Sequence, residues 1–137
     1  MAGYSATPLF AKLGIKTGYR VFFRNPPPSY FDLLSPFPEG TSVAKSFTGY
    51  FDLIQIFSKS FADFQKDLRK GVDHLKQDGM IWISWPKKTS GIVSDLDENK
   101  IRAFGLSVGL VDIKVCAVDE TWSGLKFVIP VSQRKRP

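Results

Sequence analysis

The chemistry-bearing side chains of this chain gather at the predicted ends of strands and match no familiar catalytic spacing. Trp85, Lys87 and Lys88 follow one apolar run, Ser58 and Lys59 follow another, and Asn25 follows a third. A further group, Asp119, Glu120, Trp122 and Ser123, occupies a predicted hairpin turn, with Lys126 just inside the return strand. Lysines supply positive point charge, an indole offers a stacking face, and a carboxylate can orient an ammonium. Such a set suits a small anion or a nucleotide. Lys87 and Lys88 would be the charge partners, Trp85 or Trp122 the stacking face, and Asp119 or Glu120 the orienting groups. The plainer alternative is a salt-bridged, Trp-packed corner that ties the hairpin to the sheet, because Trp-Ser-Gly is ordinary hairpin chemistry. Exposed ion pairs contribute only about 0–1 kcal/mol each, so stability alone is a weak reason for the cluster.

The remaining reactive residue types exclude more than they offer. His74 is the single histidine and lies off the apolar stripe of its predicted helix; with no second His or Cys beside it, no metal site is expected. Cys116 sits in mid-strand between Val115 and Ala117 and reads as a small buried hydrophobe, with no base or helix N-terminus to activate it. Ser123-Gly124 lacks the G-x-S-x-G elbow of a hydrolase. Asp119 and Glu120 are adjacent strand positions that point to opposite faces, and Asp95 with Asp97 reads as a solvated helix entry. No catalytic residue, metal ligand or cofactor is assigned.

These residues have to be positioned by one domain. The chain has 137 residues, 43% of them hydrophobic and 14% aromatic, which excludes disorder and allows a sizeable core. Residues 1–131 read as that domain and 132–137 as a short basic tail. Of the net charge of +6, three units come from Arg134, Lys135 and Arg136, so the body is only modestly basic and the tail neutralises few phosphates. This argues against nucleic acid as the partner and leaves a protein or a small anionic ligand. No apolar run approaches the roughly 18 residues of a membrane span, and the start lacks the pattern of a secretory signal. With one cysteine no internal disulfide can form, which fits a cytoplasmic location.

The predicted elements alternate. A short helix covers 7–13, with Thr7 as N-cap and Pro8 in its first position. A strand follows over 19–24, one or two helical turns over 29–34, then strands over 42–47 and 51–57. The clearest helix carries Phe61, Phe64, Leu68, Val72 and Leu75 at spacings of three and four, with Ser60 as cap and Asp78-Gly79 as stop. A strand over 80–85, a weaker helix over 97–104 and an antiparallel hairpin of 110–118 with 125–131 complete the chain. This is an α/β pattern with a mainly parallel sheet. The strand over 42–47 is awkward, because a parallel crossover usually takes about a dozen residues. It runs antiparallel to its neighbour or lies at an edge.

The run from Lys12 to Phe23 (KLGIKTGYRVFF), then FDLIQIF, then DGMIWISW and the closing hairpin resembles a trimmed class I methyltransferase fold, a Rossmann-like three-layer sandwich. GYS-x-x-PL (Gly3 to Leu9), SWPKK (Ser84 to Lys88) and VCAVDETWSGLKFV (Val115 to Val128) resemble stretches of a family of small bacterial proteins catalogued as a domain of unknown function. What that resemblance implies is a fold. Against the methyltransferase pattern three features are missing. Asn25-Pro26-Pro27-Pro28 stands where a Gly-rich turn holds the cofactor, and three prolines remove three N–H donors. The second strand ends Ser46-Phe47-Thr48 without a carboxylate for ribose hydroxyls. The helix–strand unit that lines the adenine pocket is absent between Phe47 and Phe51. The expectation is therefore a Rossmann-like protein without catalytic activity that works through binding at the Lys87/Lys88–Asp119/Trp122 rim. The other reading is a diverged methyltransferase, or another enzyme, holding an anionic or nucleotide ligand there.

Overall fold

A computed structural model describes residues 7–135. Of the motifs quoted above, Gly3 to Ala6 lies outside the described residues, as does Arg136 of the basic tail. Six strands form one sheet: β1 (Arg20–Arg24), β2 (Ser42–Ala44), β3 (Phe51–Phe57), β4 (Leu75–Pro86), β5 (Val111–Ala117) and β6 (Trp122–Val128). Their spatial order is β2-β1-β3-β4-β6-β5, parallel from β2 to β4 and antiparallel at β6. The helices α1 (Leu9–Leu13) and α2 (Tyr30–Leu34) contribute to the core on one face, around Val21, Leu53 and Trp82. The helices α3 (Phe61–Asp73) and α4 (Glu98–Ser107) cover the other, over Ile54, Ile81 and Phe127. This is the expected three-layer α/β architecture ending in an antiparallel hairpin.

The position of β2 resolves the awkward connection. It is parallel, but its neighbour is β1, with Val21 opposite Val43, and β1 in turn separates it from β3. Residues 45–50 therefore cross over β1 without a helix. Phe47 takes the helix's place: its ring lies 4.6 Å from Phe22. The crossover is fastened by Arg20, whose guanidinium donates to Tyr50 O at 3.1 Å and to Thr48 Oγ1 at 3.3 Å. His74 completes the support, stacked on Phe47 at 5.6 Å with Nδ1 2.7 Å from Gly49 O.

Several boundaries differ from the sequence expectation. The N-cap position of α1 falls on Pro8 rather than Thr7, and β2 ends at Ala44 rather than Phe47. The Ser60 cap is present, with Asp63 N donating to Ser60 Oγ at 3.2 Å, yet α3 stops at Asp73 and not at Asp78-Gly79. Sheet pairing wins there: Leu75 already pairs with Phe51, and Phe51 N donates to His74 O at 2.8 Å. Residues 76–79 then bulge out before Met80 rejoins opposite Leu53. Gly79 permits that close approach, since a Cβ would lie 2.7 Å from Leu75 Cδ1. The return strand begins at Trp122 rather than Leu125, because pairing with β4 continues to Pro86 opposite Trp122.

The tightest helix-to-sheet contact is Gly105 of α4 against Phe127, where a Cβ would sit 2.3 Å from the ring. Gly105→Ala forces α4 away from the sheet. It should lower unfolding free energy by about 1–3 kcal/mol, read by urea denaturation. An unchanged midpoint would show that α4 is not seated there.

Candidate functional site

The carboxyl ends of the parallel strands, where ligands of such sheets bind, carry Arg24, Phe57 and Pro86. The β5–β6 turn reaches the same edge, tied by Lys87 N donating to Thr121 O at 2.8 Å. Edge and turn meet as expected, but the sheet divides the expected residues between two faces. Trp85 packs among the α3–α4 core with Leu96, whereas Trp122 packs among the α1–α2 core, its ring 5.2 Å from Phe57. Both indoles are more than nine-tenths buried.

On the α4 face, Trp85, Lys87, Lys88 and Thr89 line a cavity of about 490 Å³ with Leu96, the start of α4 (Asp97 to Asn99) and Ser123. The cavity's carboxylates are already engaged. Asp97 caps α4 by accepting from Lys100 N at 2.8 Å, and Glu98 pairs with Arg102, which also reaches Asp112 at 2.9 Å. These two partners raise the Arg102 pKa. Among the described residues, no carboxylate lies within ion-pair distance of Lys87 or Lys88. The site can therefore offer two uncommitted ammonium groups beside an indole and a hydroxyl.

Asn25, Lys59, Asp119, Glu120, Trp122 and Lys126 do not line this cavity. Asp119 does not orient the lysines; its Oδ1 accepts from Thr121 N at 2.8 Å and Trp122 N at 2.7 Å, folding its own turn. Glu120 and Lys59 are exposed. Lys126 lies mid-sheet, opposite Trp82 and Lys114, on the α1 face, so the structure does not bring it to the rim. Asn25 adopts a left-handed φ of 56° and directs its amide toward Asp67 Oδ2 at 3.4 Å. Asp67 was not singled out by sequence. It is a buried carboxylate that also accepts from Arg24 Nε at 3.2 Å, so the end of β1 is anchored to α3. Its only sequence signal is a position one residue before a core leucine on the amphipathic helix.

The turn after β1 is the expected proline run. Asn25 and Ser29 both have positive φ, and Tyr30 N is already bonded to Pro27 O at 3.1 Å. Tyr30 is buried and donates to Gln55 Oε1 at 2.5 Å, while Gln55 Nε2 donates to Ser84 Oγ at 3.0 Å. This polar chain spans β3 and β4 beneath α2, and its spacing over 54 residues gives no local motif. Burial pushes the Tyr30 phenol well above its ordinary range, opposed by its bond to Gln55 and assisted by Asp119. Tyr30, Phe57 and Trp122 then form a continuous aromatic row along this side of the edge. On the other face the hydroxyl of Ser58, also buried, has no partner among the described residues. Cys116 is half-buried, and burial raises its thiol pKa, with Lys114 and Lys12 opposing.

The phenol is neutral in the folded chain at pH values where a free tyrosine ionises. Its contribution is complete below the free-tyrosine value of 10.0 and falls as pH rises beyond it. Tyr30→Phe should cost about 1–3 kcal/mol at neutral pH, by leaving Gln55 Oε1 unpaired, and should flatten the alkaline decline. Denaturant midpoints between neutral and alkaline pH read both effects; an identical alkaline slope in the variant would remove Tyr30 as its source.

No protein-family model matches the sequence, and no curated protein matches it. Solved structures do match. Precorrin-6y C5,15-methyltransferase from Geobacter metallireducens is 10% identical with a TM-score of 0.59, over 88% of this chain and 85% of that one. Magnesium protoporphyrin IX methyltransferase from Synechocystis, solved with SAH, is 9% identical with a TM-score of 0.60, over 88% and 78%. A methyltransferase from Pyrococcus furiosus is 14% identical with a TM-score of 0.53, over 87% and 79%. At these identities the likeness is one of architecture, and the chain has a methyltransferase-like, Rossmann-like fold.

Proposed function

We propose that this protein is a non-catalytic member of the methyltransferase-like fold that binds a small anionic ligand in the Trp85–Lys87–Lys88 cavity. It would not hold S-adenosylmethionine in the usual way. One observation carries the reading: the turn after β1 is built from Asn25 and three prolines. Proline offers no N–H, and a cofactor of this kind is gripped by main-chain donors and a helix start at that position. Two further features support it. β2 ends at Ala44 and is followed by Lys45, a positive charge where a ribose-binding carboxylate would stand. The crossover over residues 45–50 leaves no helix or strand between β2 and β3 in the sequence, and among the described residues β2 is the outermost strand, with none beyond it to line an adenine pocket.

The cavity volume falls within the range of small-molecule sites, and its two lysines lack carboxylate partners among the described residues. The original rim is thereby narrowed to Trp85, Lys87 and Lys88 with Thr89 and Ser123; Asp119 and Trp122 would support the turn behind it. A cytoplasmic location and membership in the small bacterial family of unknown function remain part of this proposal. A second reading, a diverged methyltransferase with an unconventional cofactor pose, is favoured by the likeness to solved methyltransferases.

Thermal unfolding with S-adenosylmethionine and with AMP separates the two. A ligand at about 100 times its dissociation constant raises stability by roughly 2.7 kcal/mol, a midpoint rise of roughly 5–15 °C. The expected result is a rise with a mononucleotide that is lost in Lys87→Ala/Lys88→Ala, and none with S-adenosylmethionine. A rise of that order with S-adenosylmethionine would overturn the non-catalytic reading.

A further inference from the structure

The second concentration of charge lies on the opposite face of the sheet, away from the Lys87–Lys88 cavity. Lys114 and Lys126 are directly opposed on β5 and β6, and Lys126 in turn faces Trp82 on β4. Lys114 Nζ lies 6.0 Å from the Trp82 ring. That indole donates to Leu13 O at 2.8 Å, fixing the segment that carries Lys12 and Lys16 beside the same strands. Cys116 sits among them, within the fields of Lys114 and Lys12. The ion pairs of the described residues use Arg24, Lys76 and Arg102 as cations and none of these four lysines.

Four ammonium groups from three chain segments thus converge on a partly uncovered sheet face with no ion-pair partner among the described residues. Burial, and then Lys114 and Lys16, hold the Lys126 ammonium below the ordinary lysine range. Like charges gathered this way work against the folded chain, and an anion seated between them would relieve the repulsion. Lys114 and Lys126 lie on neighbouring strands, one spacing of about 5 Å apart, and Lys12 and Lys16 flank them on the segment that Trp82 holds. That matches two or three linked phosphoryl groups better than an extended strand of nucleic acid. The Trp82 ring is wholly buried and offers no base a stacking surface.

We propose that Lys12, Lys16, Lys114 and Lys126 form a binding site for a compact oligophosphate, either free or carried by a nucleoside triphosphate. The site is separate from the cavity on the α4 face and does not depend on how that cavity is used.

Calorimetric titration with tripolyphosphate at low salt tests it, with ATP as a parallel arm to identify the source of the phosphoryl groups. Lys114→Gln/Lys126→Gln should weaken binding by about tenfold or more, one step of affinity being about 1.4 kcal/mol. The same variant without ligand should melt at or above the wild-type midpoint, because repulsion has been removed. Lys87→Ala/Lys88→Ala removes any share of the anion taken by the α4-face cavity and should leave in place the tripolyphosphate binding that the Lys114/Lys126 variant loses. If the double variant proves unstable, the exposed Lys16→Gln takes its place and should also weaken binding. Unchanged affinity in the Lys114/Lys126 and Lys16 variants, or a loss confined to the Lys87/Lys88 variant, would overturn the site. Tighter binding of a labelled single-stranded oligonucleotide than of tripolyphosphate, lost in the same variants, would overturn the compact ligand.

Discussion

The tilted packing of Phe47 against Phe22 is the contact on which the rest of this fold turns. A connection of six residues, 45–50, can reach at most about 20 Å when extended. It can cross β1 and return to the start of β3, but it has no length left for a helix and another strand. Something must still cover the apolar surface of β1. One phenylalanine does it, steadied by His74 beneath and by Arg20 at the ends of the span. The short connection and the single aromatic cover over β1 are therefore one structural fact.

Much of this was legible in the sequence, because periodicity reports burial directly. The β3 run FDLIQIF matched its strand residue for residue, and the Ser60 cap of α3 was found with its partner. The shortness of the connection before Phe51 could be read from spacing alone. What spacing could not give was the order of strands: that β1 separates β2 from β3 depends on hydrogen bonds between segments 20 or more residues apart. The end of α3 was misread because Leu75 fits both a helical stripe and a strand paired with Phe51, and only tertiary pairing decides between them.

For the candidate residues, sequence reasoning brought strand ends and hairpin turn to one edge, as they lie in the structure, and misjudged the faces. Trp85 and Trp122 come from antiparallel neighbours one register step apart, Trp85 opposite Ser123 and Pro86 opposite Trp122. Side chains one step apart point to opposite sides of a sheet. Asp119 was misjudged for a different reason: its carboxylate accepts from Thr121 N and Trp122 N of its own turn. The polar chain from Tyr30 to Ser84 and the buried Asp67 went unnoticed because their partners are distant in sequence.

β5 closes one side of the sheet with its outer hydrogen-bonding edge unpaired by any strand among the described residues, and it exposes Ile113 and Val115. Bare edges of this kind invite a second chain to add itself. Lys114 lies between those two residues in sequence and belongs to the lysine group on the α1 face. Repulsion between copies then holds such edges apart, so the same ammonium groups that would receive an anion also act as a colloidal guard. Masking them would leave an apolar margin open to strand-by-strand assembly.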